Sequence, residues 1–152
     1  MKKVLITGAS DGIGRALALK LAGEYELILF GRDKSRLQKV ADECGGAEIY
    51  AFDLNDATAR AEAVRNIKEL DILINNAGVW HKVGDLETIA DETIVEVINT
   101  NLLSQILLTK ALLPKMRSKD GSAVINVISK SGITDQPGQS VYVACYCCNF
   151  ND

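Results

Sequence analysis

Five short apolar runs alternate along the chain with segments whose apolar residues repeat at helical spacing. The runs lie at 4–6, 27–30, 49–52, 72–74 and 123–128. Alternation of this kind is typical of a parallel sheet whose helices cover both faces. The sequence therefore predicts an α/β fold, a Rossmann-type doubly wound parallel sheet. A chain of 152 residues is long enough to bury the core of one such domain.

The segments between the runs predict four helices. The first follows a glycine-rich turn, and the others lie at 34–43, 56–68 and 91–117. The apolar residues of the 91–117 helix cover more than one narrow stripe of its surface. We therefore expect one side of this helix to pack against the sheet and another side to pack against a second surface. A second copy of the chain, forming a homodimer, is the candidate for that surface.

Composition and charge exclude several classes of partner. The formal net charge is −3, which leaves no broad basic field for nucleic acid or anionic lipid. No stretch approaches the roughly 18 apolar residues of a membrane span, and the start of the chain does not resemble a signal peptide. We expect no membrane or nucleic-acid partner and a cytoplasmic location.

The cysteines at 44, 145, 147 and 148 lack the spacing of a zinc site, so we expect reduced thiols and no metal.

A glycine-rich turn joins the first run to the first helix. Residues 7–14 read Thr-Gly-Ala-Ser-Asp-Gly-Ile-Gly. Glycine allows a tight turn, lets backbone N–H groups approach a pyrophosphate and permits the helix to pack closely on the strand. A P-loop is excluded because no Gly-Lys-Ser/Thr follows. The turn predicts dinucleotide phosphate contacts from Gly8, Ser10, Gly12, Ile13 and Gly14.

The spacing of this turn and four further segments resemble the short-chain dehydrogenase/reductase family. The segments are Asp53-Leu54, Asn75-Asn76-Ala77-Gly78, Asn101, and Ser129 placed thirteen residues before Tyr142. The resemblance implies an NADP-linked oxidoreductase that interconverts a small-molecule carbonyl and alcohol. It also implies a sheet of strand order 3-2-1-4-5-6-7, of which we expect this chain to supply the first five strands and lack the last two.

The resemblance assigns cofactor contacts to residues at the strand ends. Thr7 would brace the turn, and Asp53, followed by Leu54, would bind the adenine amino group. Asn75, with the backbone near Ala77 and Gly78, would line the adenosine ribose. Two structural alternatives stay open: Asp53 could cap the following helix, and the asparagines could satisfy backbone groups at the strand end.

The choice of cofactor rests on the end of the second strand. Gly31 and Arg32 stand there, and a guanidinium suits the 2′-phosphate of NADP. Asp11 and Asp33 lie close in sequence and favour NAD. We expect NADP to be preferred, with NAD as the alternative.

The resemblance makes Asn101, Ser129 and Tyr142 the catalytic residues. Tyr142 would exchange a proton with the substrate oxygen, and Ser129 would hold that oxygen. In the family a lysine one helical turn later lowers the tyrosine pKa and is joined through water to the asparagine matched by Asn101. Tyr146 stands in its place, so we expect activity to fall by orders of magnitude.

The tyrosine at position 146, where the family has lysine, coincides with a change in the pattern of the sequence. We expect an incomplete NAD(P)-binding domain over 1–144 and an atypical cysteine-rich tail over 145–152, with a frameshift or premature end as the hypothesis. A non-catalytic dinucleotide-binding protein and an inactive truncated product are the alternatives. His81 could border the substrate side, but we expect a solvent-exposed loop histidine.

Overall fold

The computed structural model describes residues 1–116, 121–134 and 136–147. Its centre is a parallel sheet of the strands β1 (Lys3–Thr7), β2 (Glu26–Gly31), β3 (Glu48–Ala51), β4 (Ile72–Asn75) and β5 (Ala123–Asn126). The strand order is β3-β2-β1-β4-β5, and every pairing is parallel. The predicted α/β doubly wound sheet is confirmed, and so is the order of its first five strands.

Six α-helices lie among the described residues: α1 (Gly12–Leu21), α2 (Lys34–Glu43), α3 (Ala57–Asn66), α4 (Asp91–Ile98), α5 (Ser104–Leu112) and α6 (Ser140–Cys147). Helix α2 has the predicted bounds. Helix α3 begins directly after Asp56, whose carboxylate accepts hydrogen bonds from the backbone N–H groups of Thr58 and Ala59. This cap explains why the helix starts there.

The single helix predicted over 91–117 is wrong in detail. A π-helix, Asn99–Leu103, separates α4 from α5, and a 3₁₀ turn, Leu113–Lys115, follows α5. Pro114 lies in that 3₁₀ turn, where its missing N–H ends the regular helix. Residue 117 lies outside the described residues.

The described structure continues across the start of the expected tail at residue 145. Helix α6 continues to Cys147, and residues 148–152 lie outside the described part of the chain. Val141 and Cys145 are one helical turn apart, and both are buried in a cluster with Val97 of α4. This i, i+4 pair gives the start of the tail a packed face that the sequence analysis missed.

Both faces of the sheet are covered, as alternation along the strands requires. Leu5, Phe30 and Leu73 pack towards α3 and α5, whereas Val4, Ile6 and Leu29 pack towards α1 and α2. Because β1 lies between β2 and β4 and the three strands are parallel, their carboxyl ends lie side by side. The first turn of α1 lies next to them. Within the described ranges, no helix combines the length and the apolar character needed to cross a bilayer.

Candidate cofactor groove and active site

A groove of about 520 Å³ opens at the carboxyl ends of β1, β2 and β4. Its walls are the turn after β1, the end of β2, the first turn of α2 and the segment after β4, with Leu54 and Thr100 closing one side. The sheet order reverses between β1 and β4, and open α/β sheets bind their ligands in the crevice at such a point. The predicted residues that line the groove are Gly8, Ser10, Gly12, Ile13, Arg32, Leu54, Ala77 and Gly78.

The turn after β1 has a geometry that requires glycine. Gly8 and Gly12 have φ angles of 66° and 53°. A Cβ on Gly8 would lie 2.9 Å from the Cα of Ala77, and a Cβ on Gly14 would lie 2.2 Å from the Gly8 carbonyl oxygen. Gly12 has nothing within 4 Å of its Cβ position, so the start of α1 faces open space. The turn thus has both the close packing and the room that a bound pyrophosphate needs.

Thr7 braces this turn from below. Its side chain is buried, and its hydroxyl oxygen accepts hydrogen bonds from the backbone N–H groups of Asn76 and Ala77, both at 2.9 Å. The same hydroxyl donates to the Ile74 carbonyl at 3.4 Å. Thr7 therefore fixes the segment after β4 against the segment after β1 and lies outside the groove lining.

Charged side chains gather where β2 meets the groove. Arg32, Asp33, Arg36 and Asp11 all line it. The Arg36 guanidinium lies 3.4 Å from the Asp33 carboxylate and 3.8 Å from that of Asp11. Arg36 was not predicted, although its place three residues after the α2 cap, Asp33, is a recognisable signal. Asp11 caps α1, accepting from the Gly12 N–H at 2.7 Å.

Asp53 and Leu54 occupy different environments. Leu54 is buried and lines the groove. The Asp53 carboxylate is exposed and accepts a hydrogen bond from the Asn55 N–H at 2.9 Å. Asp56, and not Asp53, caps α3, so the capping alternative for Asp53 is wrong.

Asn75, predicted to line the adenosine ribose, is not among the residues that line the groove. Its side-chain amide donates to the Thr109 hydroxyl at 3.0 Å and to the Asn126 side-chain oxygen at 2.9 Å. It lines a second cavity of about 250 Å³, on the α5 side of the sheet. Successive side chains of a strand point to opposite faces, so Asn76 lines the groove instead, and its amide donates to the Thr7 carbonyl at 2.9 Å.

Ser129 lies at the start of a 3₁₀ turn that packs against α6, the helix that carries Tyr142. Ser129 caps the 3₁₀ turn Lys130–Gly132, and its hydroxyl accepts a hydrogen bond from the Ser131 N–H at 3.2 Å. That turn packs on α6 so closely that a Cβ on Gly132 would lie 2.3 Å from the Tyr146 carbonyl oxygen. Ser129 and Tyr142 are both half-buried.

Asn101 lies in the π-helix, and its side-chain amide forms two hydrogen bonds with the backbone of Val79. Its side-chain oxygen accepts from the Val79 N–H at 2.7 Å, and its side-chain nitrogen donates to the Val79 carbonyl at 2.8 Å. The Cβ position of Gly78 is 3.4 Å from the Asn101 side-chain oxygen and 3.0 Å from the Tyr146 hydroxyl. The side chains of Asn101 and Tyr146 therefore both lie close to Gly78.

Tyr142 and Tyr146 form a phenol pair on α6. Their ring centroids are 4.8 Å apart, and the ring planes are tilted by 52°. Burial is the main cause that raises the pKa of Tyr146 above its usual range, and the neighbouring Tyr142 adds to it through charge and hydrogen bonding. Tyr146 is thus a neutral group at physiological pH, at the position where the resemblance implies a lysine.

His81 differs from its predicted exposed state. Only 5% of it is accessible, and its Nδ1 lies 2.9 Å from the Lys82 carbonyl oxygen. Its ring is stacked beside Trp80, with centroids 6.4 Å apart. The indole remains 57% exposed and shares with the histidine the loop that follows β4. The sequence carries no periodic signal in this loop from which the burial could have been predicted.

Comparison with known proteins agrees with this geometry. The sequence model of the short chain dehydrogenase family matches residues 2–145. Dehydrogenase/reductase SDR family member 7B of Danio rerio is 35% identical over 158 residues, covering 94% of this chain and 51% of the relative. A 3-oxoacyl-[acyl-carrier-protein] reductase of Staphylococcus epidermidis is 33% identical over 153 residues, covering 94% and 62%. The chain thus spans between half and two thirds of the length of these curated relatives.

Solved structures give the same result. A metagenomic short-chain oxidoreductase in complex with NADP superposes with a TM-score of 0.89 at 31% identity, covering 95% of this chain and 70% of that one. Serine dehydrogenase from Escherichia coli superposes with a TM-score of 0.88 at 29% identity, covering 95% and 70%. With the family's sequence model matched over nearly all of its residues, the chain belongs to the short-chain dehydrogenase family of oxidoreductases.

Proposed function

We propose that the chain binds NADP in the groove and that its chemistry is the interconversion of a small carbonyl compound and an alcohol. The observation that carries this proposal is the glycine turn at the start of α1, opening onto a groove that also contains Arg32 and Arg36. The NADP complex of a related short-chain oxidoreductase supports it. So does the reductase named among the relatives.

The charges at the end of β2 support NADP over NAD. Arg32 carries a planar fork of donors that matches the oxygens of a 2′-phosphate. Arg36 adds a second guanidinium, which Asp33 and Asp11 hold at the rim of the groove. The adenosine 2′-phosphate binds between these two arginines in this proposal.

The catalytic roles in this proposal are those that the resemblance to the family implies. When bound, the nicotinamide supplies or accepts the hydride. Ser129 holds the substrate oxygen by a hydrogen bond, and Tyr142 gives that oxygen its proton in the reduction and takes it back in the oxidation. Asn101 positions the backbone of Val79 at the edge of the groove.

Residue 146 limits the rate of this proton transfer. A tyrosine phenol with an ordinary pKa of about 10 gives up its proton readily only beside a positive charge. The side chain next to Tyr142 on α6 is the neutral phenol of Tyr146. The chain therefore reacts orders of magnitude more slowly than a relative with lysine at this position.

Titration and turnover measurements test the proposal. The purified protein is titrated with NADPH and NADH and then assayed with ketones, aldehydes and secondary alcohols. We expect saturable binding with NADPH preferred, and slow turnover. Tighter binding of NADH would overturn the choice of NADP, and binding without any turnover would favour a non-catalytic dinucleotide-binding protein. Absence of binding by either cofactor would contradict the assignment of the groove.

We also propose a homodimer formed through the helical run that comprises α4, the π-helix and α5. Several large apolar side chains on this run are at least one third exposed to solvent: Val95, Ile98, Leu103, Ile106 and Leu107. A second copy of the chain would remove this apolar surface from water.

A further inference from the structure

We infer that the second cavity, which lies between α5 and the strands β4 and β5, binds a small N-acylated amino acid. The amide of this ligand bonds to polar side chains of the cavity, its carboxylate faces Lys110, and its aliphatic side chain packs on apolar residues. Among the described residues, none lines both this cavity and the cofactor groove. The site is therefore separate from the proposed cofactor site.

The side-chain oxygen of Asn75 is buried without a hydrogen-bond partner among the described residues. Asn75 lines the cavity and is only 1% exposed. Its side-chain nitrogen donates to Thr109 and Asn126, which fixes the direction of the amide. Leaving a buried acceptor unpaired is unfavourable, so a bound molecule that donates a hydrogen bond to this oxygen gains affinity.

The polar groups around Asn75 complement both the N–H and the carbonyl of an amide. Gln105 uses its side-chain nitrogen to donate to the Ala77 carbonyl, and its side-chain oxygen stays available as an acceptor. The Asn126 oxygen accepts from Asn75, which leaves the Asn126 nitrogen as a donor without an acceptor among the described residues. A carboxylate alone does not satisfy this set, because it accepts hydrogen bonds and donates none.

Lys110 gives the cavity a positive charge. It lines the cavity and forms no ion pair with the described residues, and no acidic side chain belongs to the described lining. The apolar part of the lining consists of Ile106, Leu113 and Val124, each more than one third exposed. The cavity therefore favours a ligand that combines an anionic group with an aliphatic group.

The volume of the cavity limits the size of the ligand. It is about 250 Å³, just below the roughly 300–1,000 Å³ typical of pockets for drug-sized molecules. An acylated amino acid carries an amide, a carboxylate and an aliphatic side chain within a molecule of this scale.

Titration of the wild-type protein with N-acetyl-leucine, followed by proton–nitrogen correlation NMR, tests the inference. We expect saturable shifts at Gln105, Thr109 and Asn126, with a dissociation constant in the millimolar range. Saturating NADPH should change this constant less than about threefold. Isocaproate keeps the carboxylate and the branched chain but lacks the amide, so it should bind at least about fivefold more weakly. N-acetyl-leucinamide lacks the charge and should bind about twofold to fivefold more weakly.

Two variants separate the amide contacts from the charge. Asn126→Asp keeps the oxygen that accepts from Asn75 and replaces the donor, so it should weaken N-acetyl-leucine binding about tenfold or more. Asn66→Asp makes the same change at an exposed position on α3 and should leave binding unchanged. Lys110→Ala should abolish the difference between N-acetyl-leucine and its carboxamide, whereas Lys39→Ala, on α2, should retain it. Circular dichroism establishes that each variant is folded, and the wild-type comparison of probes stands if one is not.

Several outcomes would contradict the site or its ligand. Isocaproate binding as tightly as N-acetyl-leucine would overturn the recognition of an amide. Shifts that do not saturate, or that disappear when NADPH is added, would overturn the site. Tenfold tighter binding of an acetylated tripeptide ending in leucine would overturn the small molecule in favour of a peptide carboxyl terminus. Failure of NADPH to bind would overturn the proposed function and leave this site intact.

Discussion

At the scale of single residues, the proposed preference for NADP rests on two guanidinium groups, Arg32 and Arg36, at the end of β2. Arg36 lies beside Asp33 and Asp11, whereas Arg32 forms no ion pair with the described residues. Arg32 therefore has more of its charge available for a 2′-phosphate. Because NADH lacks that phosphate, the contribution of Arg32 should appear in the binding of one cofactor and not the other.

Arg32→Ala should lower NADPH affinity about tenfold or more and leave NADH affinity nearly unchanged. Isothermal titration with the two cofactors measures both constants. Lys39→Ala is the matched control, because it removes the same charge from an exposed position on α2 outside the groove lining. An equal loss for NADH in Arg32→Ala would contradict the assignment of the 2′-phosphate to this residue.

A second prediction concerns the replacement of Gly14 by alanine, which has two opposing effects on the stability of the protein. Alanine inside a helix gains about 1 kcal/mol over glycine. A Cβ here, however, would lie 2.2 Å from the Gly8 carbonyl oxygen, and backbone must move to relieve that contact. Overpacking of this kind costs about 1–3 kcal/mol or more, so the clash should prevail and Gly14→Ala should be less stable than the wild type.

Urea unfolding measures the stability of Gly14→Ala. The control is Gly84→Ala, whose Cβ would meet only the flexible Thr88 side chain, at 3.1 Å. We expect that variant to stay within about 0.5 kcal/mol of the wild type. A Gly14→Ala protein as stable as the wild type would show that α1 does not need its close approach to β1.

At the scale of secondary-structure elements, the π-helix is the feature that local sequence patterns could not predict. It contains a long-range contact, because Asn101 binds the Val79 backbone, 22 residues away in sequence. Apolar periodicity reports which face of a helix is buried, but it does not report an irregular turn of this kind.

Asn101→Ala should destabilise the protein by about 1–3 kcal/mol, because it leaves the N–H and carbonyl of Val79 without these partners. Hydrogen exchange should also quicken at Val79. Chemical unfolding and exchange NMR provide the two measurements. Asn66→Ala removes an asparagine from an exposed helical position and serves as control. Unchanged exchange at Val79 would contradict the positioning role of Asn101.

Other elements show what the sequence could and could not predict. The strands, α2 and the groove-lining turn follow from apolar runs and glycine spacing, which are local signals. The side of the sheet that Asn75 faces depends on where β4 ends, and a shift of one residue exchanges it with Asn76. Continuation of α6 through Cys145 depends on packing against Val97, which a local pattern does not contain.

At the scale of the whole molecule, the exposed apolar residues on the run from α4 to α5 predict self-association. Leu103→Glu places a charge on this surface and should shift the protein towards monomers, which light scattering after gel filtration detects. Leu86→Glu changes an equally apolar residue, 54% exposed, in a separate 3₁₀ turn and should leave the association unchanged. A monomeric wild type at every accessible concentration would contradict the proposed dimer.

The central claim is that a neutral phenol at residue 146 limits proton transfer through Tyr142. The most direct test is the rate of NADPH oxidation with a panel of ketones and aldehydes, compared between the wild type and Tyr146→Lys. General acid–base catalysis contributes about 10²–10⁴-fold to enzyme rates, so we predict that the lysine variant is at least about 10²-fold faster. Equal rates in the two proteins, whether high or low, would contradict the account.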